Sequence, residues 1–235
     1  MTVNCVWEHN GDDSILYASN FVGAFSRGAS KEEAISKMPE EIRRFQLWRD
    51  KTPPDEYEIV IVQEKESDLQ VRDADSDVLF TTEKEPLSAE EYQCLKSLAM
   101  RSAADFYLLY SSFPDKNKSS LPCRRTFYGS VPRTAEEMYQ HTKNVNEYYF
   151  SEIGAEADNE GTIVSCRARG FEALESVKGY LSLETVTGSY DEQWSVRKLL
   201  RRFIWHDRIH AKAMYRMGIL TFGADLIPDL FKFDR

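Results

Sequence analysis

The sequence predicts an α+β protein: a small βββαβ module over residues 1–84, then an all-α four-helix bundle over residues 85–235. Two observations carry this. Before Pro86 the apolar residues fall into short β-branched runs around a single helical pattern; after Ser88 they recur at steps of three and four.

In the module, Val3 to Glu8 and Ile15 to Ser19 read as strands joined across His9-Asn10-Gly11-Asp12-Asp13, whose Asn-Gly pair suits a hairpin turn. A third strand is expected around Phe21 to Phe25, ending at Gly28. Ser30 followed by Glu32 and Glu33 is an N-cap signature, and Ala34, Ile35, Met38, Ile42, Phe45 and Leu47 supply one apolar helix face. Pro53-Pro54 interrupts the chain, and Tyr57 to Val62 is β-branched enough for a buried strand. Asp77 to Thr81 reads as one more short strand before the boundary at Lys84-Glu85-Pro86.

The bundle begins at a second cap, Ser88, with acids in the first turn. Tyr92, Leu95, Ala99, Ser102, Phe106, Leu109 and Phe113 form its first seam, and Pro114 ends it. Thr134 caps the next helix, whose inner side draws on Met138, His141 or Thr142, Val145, Tyr148 or Tyr149, and Ile153. A third helix is expected over about Cys166 to Val186. A fourth runs over about Glu192 to Met217, with Leu199, Phe203, His206, His210, Ala213 and Met217 as its stripe.

The chain carries a formal charge of −9, which repels nucleic-acid backbones on average. The one basic cluster, Arg197, Lys198, Arg201, Arg202 and Arg208, reads as a solvated helix face. Four dispersed cysteines, Cys5, Cys94, Cys123 and Cys166, show no pairing or metal-binding spacing, so a reduced, cytoplasmic setting is expected and no role is assigned to them. Met1 to Trp7 lacks a leader's basic start and apolar run, and no stretch approaches the roughly 18 apolar residues of a membrane span.

The chemistry-bearing feature is the histidine pattern. His206 and His210 occupy adjacent places on a stripe otherwise made of Leu, Phe, Ala and Met, so both face the interior, one turn apart. His141, one turn or so into another helix, fits as a third ligand; of four histidines only His9 is left over. Three imidazoles plus a free position suit a divalent transition metal, zinc or nickel first and iron next, in an open site of the catalytic type. The competing reading of each is a hydrogen-bonded core histidine.

Met138-Tyr139-Gln140-His141-Thr142-Lys143-Asn144-Val145-Asn146-Glu147-Tyr148-Tyr149 and, later, Trp205-His206-Asp207-Arg208-Ile209-His210 resemble the DinB-like superfamily of metal-binding four-helix bundles over roughly Leu87 to Met217. The resemblance implies that His141, His206 and His210 hold the metal. It also implies thiol-dependent transfer or isomerisation as a reaction class, in a superfamily that also contains many members without known activity, so fold and ligands transfer better than reaction. The stretch Phe21 to Ile35 is similar to the HicB-like module of antitoxins; the DNA-binding segment such antitoxins carry is absent, so repressor function does not transfer.

Two functions follow as expectations: a metal-dependent hydrolase or thiol-dependent transferase acting on a small molecule, or a non-catalytic interaction protein with a structural or vestigial metal site. Pairing into a homodimer through exposed helix faces is a further expectation. Asp207 reads either as an orienting partner of His210 or as a surface ion-pair member with Arg208 or Arg202; Asp105 points to the site or to water; Glu147, Tyr148 and Tyr149 are pocket candidates.

Overall fold

The computed structural model describes residues 1–11, 13–126 and 129–234, without the side chain of Arg72. It is a mixed α+β structure: a four-stranded sheet with one helix, followed by five helices. No helix among these residues is long and apolar enough to cross a membrane.

Strand β1 (Thr2–Asn10) pairs antiparallel with β2 (Asp13–Ala18), and β2 likewise with β3 (Phe25–Gly28). Helix α1 (Lys31–Trp48) then carries the chain across, so that β4 (Glu58–Glu66) lies parallel to β1 in the order β3-β2-β1-β4. Asn10 faces Asp13 at the hairpin, and Gly11 takes the left-handed φ of 55° that such a turn demands; Asp12 lies outside the described residues. Period-two alternation gives the sheet two apolar faces. Val3, Cys5, Leu16 and Ala18 belong to the core that includes α1, whereas Val6, Ile15, Tyr17 and Phe25 form a second cluster with Val71, Val78, Phe80 and Trp205.

Three details of the module differ from expectation. The third strand starts at Phe25, because Phe21 to Ala24 close a turn in which Gly23 (φ 102°) abuts Ile204; a Cβ there would lie 2.2 Å from the Ile204 side chain. β4 is a half-exposed edge rather than a buried strand, and the ladder skips Val62, a bulge that leaves this side chain 53% exposed. Residues 77–80 form no strand, since side chains rather than a ladder satisfy their backbone. Lys198 donates to the Asp77 carbonyl, Arg201 to that of Val78 and Gln63 to that of Leu79; a short 3-10 turn, Thr81–Lys84, follows.

Helix α2 (Ala89–Ser111) begins at Ser88, whose hydroxyl accepts from the Glu91 amide while the Glu91 carboxylate accepts from the Ser88 amide. Ser88→Ala is expected to cost about 1 kcal/mol in denaturant unfolding; an unchanged midpoint would mean this box contributes nothing. The hairpin strands β5 (Arg125–Thr126) and β6 (Gly129–Ser130) lead to α3 (Ala135–Lys143), capped by Thr134 as expected, and α4 (Val145–Ser151). Helix α5 (Ile163–Ser176) is shorter than predicted. Val177 turns extended, Gly179 is left-handed, and β7 (Val186–Thr187) with β8 (Gln193–Trp194) occupy what was read as helix and turn.

Helix α6 (Val196–Phe222) is the centre of the molecule, starting four residues later than predicted and running past Met217. It packs on α2 and α3, and Trp205 inserts against the sheet. One hydrophobic cluster therefore includes Cys5 and Leu16 of the sheet, Phe45 of α1, Phe106 of α2 and Phe203 of α6. The basic cluster of α6 is not a solvated face: Lys198, Arg201, Arg202 and Arg208 are all buried. Arg201 forks onto Glu83, Arg208 makes a single contact to Glu41 of α1 at 2.7 Å, Lys198 pairs with Glu192 at 2.8 Å, and Arg202 donates to the Ser76 carbonyl. Most of these contacts fasten α6 to the preceding module.

Candidate metal centre

His206 and His210 project from successive turns of α6, and His141 comes from the last turn of α3. The ring centroids are 4.4 Å apart for His206 and His210, 4.6 Å for His141 and His210, and 5.3 Å for His141 and His206. One nitrogen from each can be chosen so that all three lie within 4.8 Å of one another. The predicted trio is thus brought together, from two helices that contact directly.

The donor set fits a cation. None of the three imidazoles hydrogen-bonds to another described residue, and the Nδ1 of His206 is buried with no partner, a costly arrangement for a purely structural histidine. Burial lowers all three from their ordinary range. His210 falls to about 3, with His141 adding to the effect, and His206 lies well below 6.5 through burial and then the neighbouring His210 and His141. Neutral imidazoles crowded together present lone pairs rather than protons, as ligation requires.

The trio lies at the floor of a cleft of about 620 Å³. His206 is buried, His210 half-buried and His141 exposed, so the centre is open on the His141 side. Tyr148 and Tyr149 line the cleft, with the Tyr149 ring 5.9 Å from that of His206. Glu147 does not line it; its carboxylate accepts from Asn159 at 3.1 Å. Ala213 is exposed at the cleft rather than buried on a seam, while Met217, the next member of the stripe, is fully buried.

Asp207 and Asp105 serve elsewhere. Asp207 is fully buried, but it points away from the imidazoles and accepts two hydrogen bonds from Arg167, at 3.0 and 3.1 Å, and one from Ser102 at 2.5 Å. It is neither an orienting partner of His210 nor paired with Arg208 or Arg202. Its role is to lock α6 to α5 and α2 one residue from a ligand candidate. Asp105 accepts from the Trp48 indole at 2.7 Å, joining α2 to the end of α1. Cys5 and Cys166 are buried thiols, Cys94 and Cys123 are exposed, and all four are free.

Several cleft residues escaped the sequence reading: Arg27 of β3, Asp73 and Asp75 of the turn after Leu69, and Arg124 and Arg133 of the loop between α2 and α3. Only Arg202 left a signal, since it stands four residues before His206 on the same helix.

Fold and site define an α+β protein with a three-histidine cluster at the base of an open cleft. In comparisons with protein families, curated proteins and solved structures, the chain matches none.

Proposed function

We propose that this protein is a metal-dependent enzyme in which His141, His206 and His210 hold one divalent transition ion, zinc or nickel first and iron next. The observation that carries the reading is the convergence of three imidazoles from two helices at the floor of a cleft large enough for a small molecule. On this reading α2, α3 with α4, α5 and α6 are the members of a DinB-like four-helix unit; the resemblance of the His141 and His206–His210 segments supports thiol-dependent transfer, and activation of water by the ion supports hydrolysis, as the reaction class. A closed, solvent-free centre would have favoured a structural ion.

When bound, the ion supplies a Lewis acid that lowers the pKa of a coordinated water or thiol toward neutrality. The chain's own groups do the rest. His206, held by the packing of α6, sets the depth of the centre; His141 borders the open side, where a substrate enters; Tyr149 and Trp205 enclose His206 and exclude water from its inner side. The Arg167–Asp207–Ser102 link fixes α6 against α5 and α2, and with it the position of both of its ligands.

Elemental analysis of the purified protein tests this. About one equivalent of transition metal is expected in the wild type, falling to below about a tenth in His206→Ala and in His210→Ala. Metal content indifferent to these substitutions would remove the centre.

A further inference from the structure

We infer that the molecule acted on in this cleft is an organic anion, its carboxylate or phosphate held by Arg133 and Arg216; the inference rests on the metal-dependent reading above.

The chain as a whole is acidic, at −9, yet five arginines line the cleft: Arg27, Arg124, Arg133, Arg202 and Arg216. Against them stand two carboxylates, Asp73 and Asp75. Internal pairing accounts for part of this. Arg124 meets Asp73, and Arg202 donates to the Ser76 carbonyl and approaches Glu192 at 4.0 Å. Arg133 and Arg216 have no carboxylate partner among the described residues, and the Nε of Arg133 is buried without any hydrogen-bond partner. A guanidinium left unpaired in a cleft wall presents its fork to whatever enters, and that fork matches a carboxylate or phosphate two bonds at a time. A divalent ion at the histidines would add to the same sign of field, so a neutral ligand gains little there and an anion gains twice.

Arg216 lies six residues beyond His210 on α6, and both line the same cleft. The wall opposite α6 comes from the first part of the chain, through Arg27 and the 73–75 turn. A second hollow of about 530 Å³ between β3, α1 and α6 shares Arg27 and Arg216, but its Lys37, Arg44 and Lys212 are already paired with Glu33, Glu40 and Glu41, so the unpaired positive charge stays in the histidine cleft. The N-terminal module is on this account a wall of the binding cleft.

Calorimetric titration of the full-length, metal-analysed protein with succinate and with inorganic phosphate tests the inference, against Arg133→Gln/Arg216→Gln and each single variant. Wild type should bind at least one probe, and the double variant at least about tenfold more weakly with unchanged metal content; which probe binds tells carboxylate from phosphate. The singles, each several-fold weaker, keep the test usable if the double variant does not fold. Repeating the titration after chelation separates the two readings. Arginine-dependent binding that survives chelation supports the anion site even if elemental analysis finds no native metal. Equal affinity in the arginine variants, binding lost on chelation but indifferent to the arginines, or no binding of either probe at about 10 mM would each overturn it.

Discussion

Asp207→Ala is expected to destabilise the protein by about 3–5 kcal/mol, the cost of leaving a buried charge without its partner. Arg167 and Asp207 are both fully buried, the guanidinium donates twice to the carboxylate, and its carbon lies 3.8 Å over the Phe203 ring. Nothing else in the described structure neutralises Arg167. Removing the acid leaves the guanidinium among Phe203 and the helix interfaces and frees the Ser102 hydroxyl. Equilibrium unfolding in urea measures the effect, and Arg167→Met/Asp207→Leu should recover most of it, because a well-packed apolar pair avoids the desolvation penalty. A loss under about 1 kcal/mol for the single substitution would mean that water reaches Arg167 and that this link does not hold α6 in place.

Metal-free protein is expected to lose stability steeply between pH 6.5 and pH 3. The sign follows from which state binds the proton. Unfolded histidines titrate near 6.5, whereas folded His206 and His210 stay neutral well below that, His210 down to about 3. Within the window the unfolded chain binds more protons, so stability falls as pH falls, by about 1.4 kcal/mol per pH unit for each histidine. His210 alone gives about 2.5 kcal/mol between pH 6.5 and 4.5, and His206 adds in the same direction. Above pH 6.5 both states are neutral and the contribution is flat. Chelator-treated wild type and His210→Gln should therefore diverge in urea midpoint as the buffer is acidified, the variant showing the shallower slope. Parallel pH profiles would place His210 in water rather than in the floor of the cleft. With metal bound, ligation competes with protons and moves the loss to lower pH.

Local chemistry made much of this molecule legible in the sequence. The caps at Ser30, Ser88 and Thr134 were readable because a cap needs only a hydroxyl and an acid within one turn. The α2 seam was readable because helical spacing alone decides which residues share a face: Tyr92, Ala99, Ser102, Phe106, Leu109 and Phe113 are all buried. Misread parts have non-local causes. The carbonyls of Asp77 and Val78 are held by side chains from α6 more than 120 residues later, and no local pattern announces that. Arg208 is buried because Glu41 lies 167 residues away in sequence and 2.7 Å away in space. A warning was present nonetheless: Leu199, Leu200, Phe203, Ile204 and Trp205 surround α6 with apolar groups, the mark of a helix buried all round.

The sequence by itself determined that His206 and His210 stand one turn apart on one face of a helix, because 3.6 residues per turn leaves no other arrangement. Only the tertiary structure decided that His141 meets them, that the opening beside them is walled by arginines from three separate stretches of chain, and that Lys198, Arg201 and Arg208 of α6 are spent on internal ion pairs. Periodicity acts between neighbours along the chain. Convergence and charge pairing depend on which distant segments the packing of a shared core brings within a few ångströms.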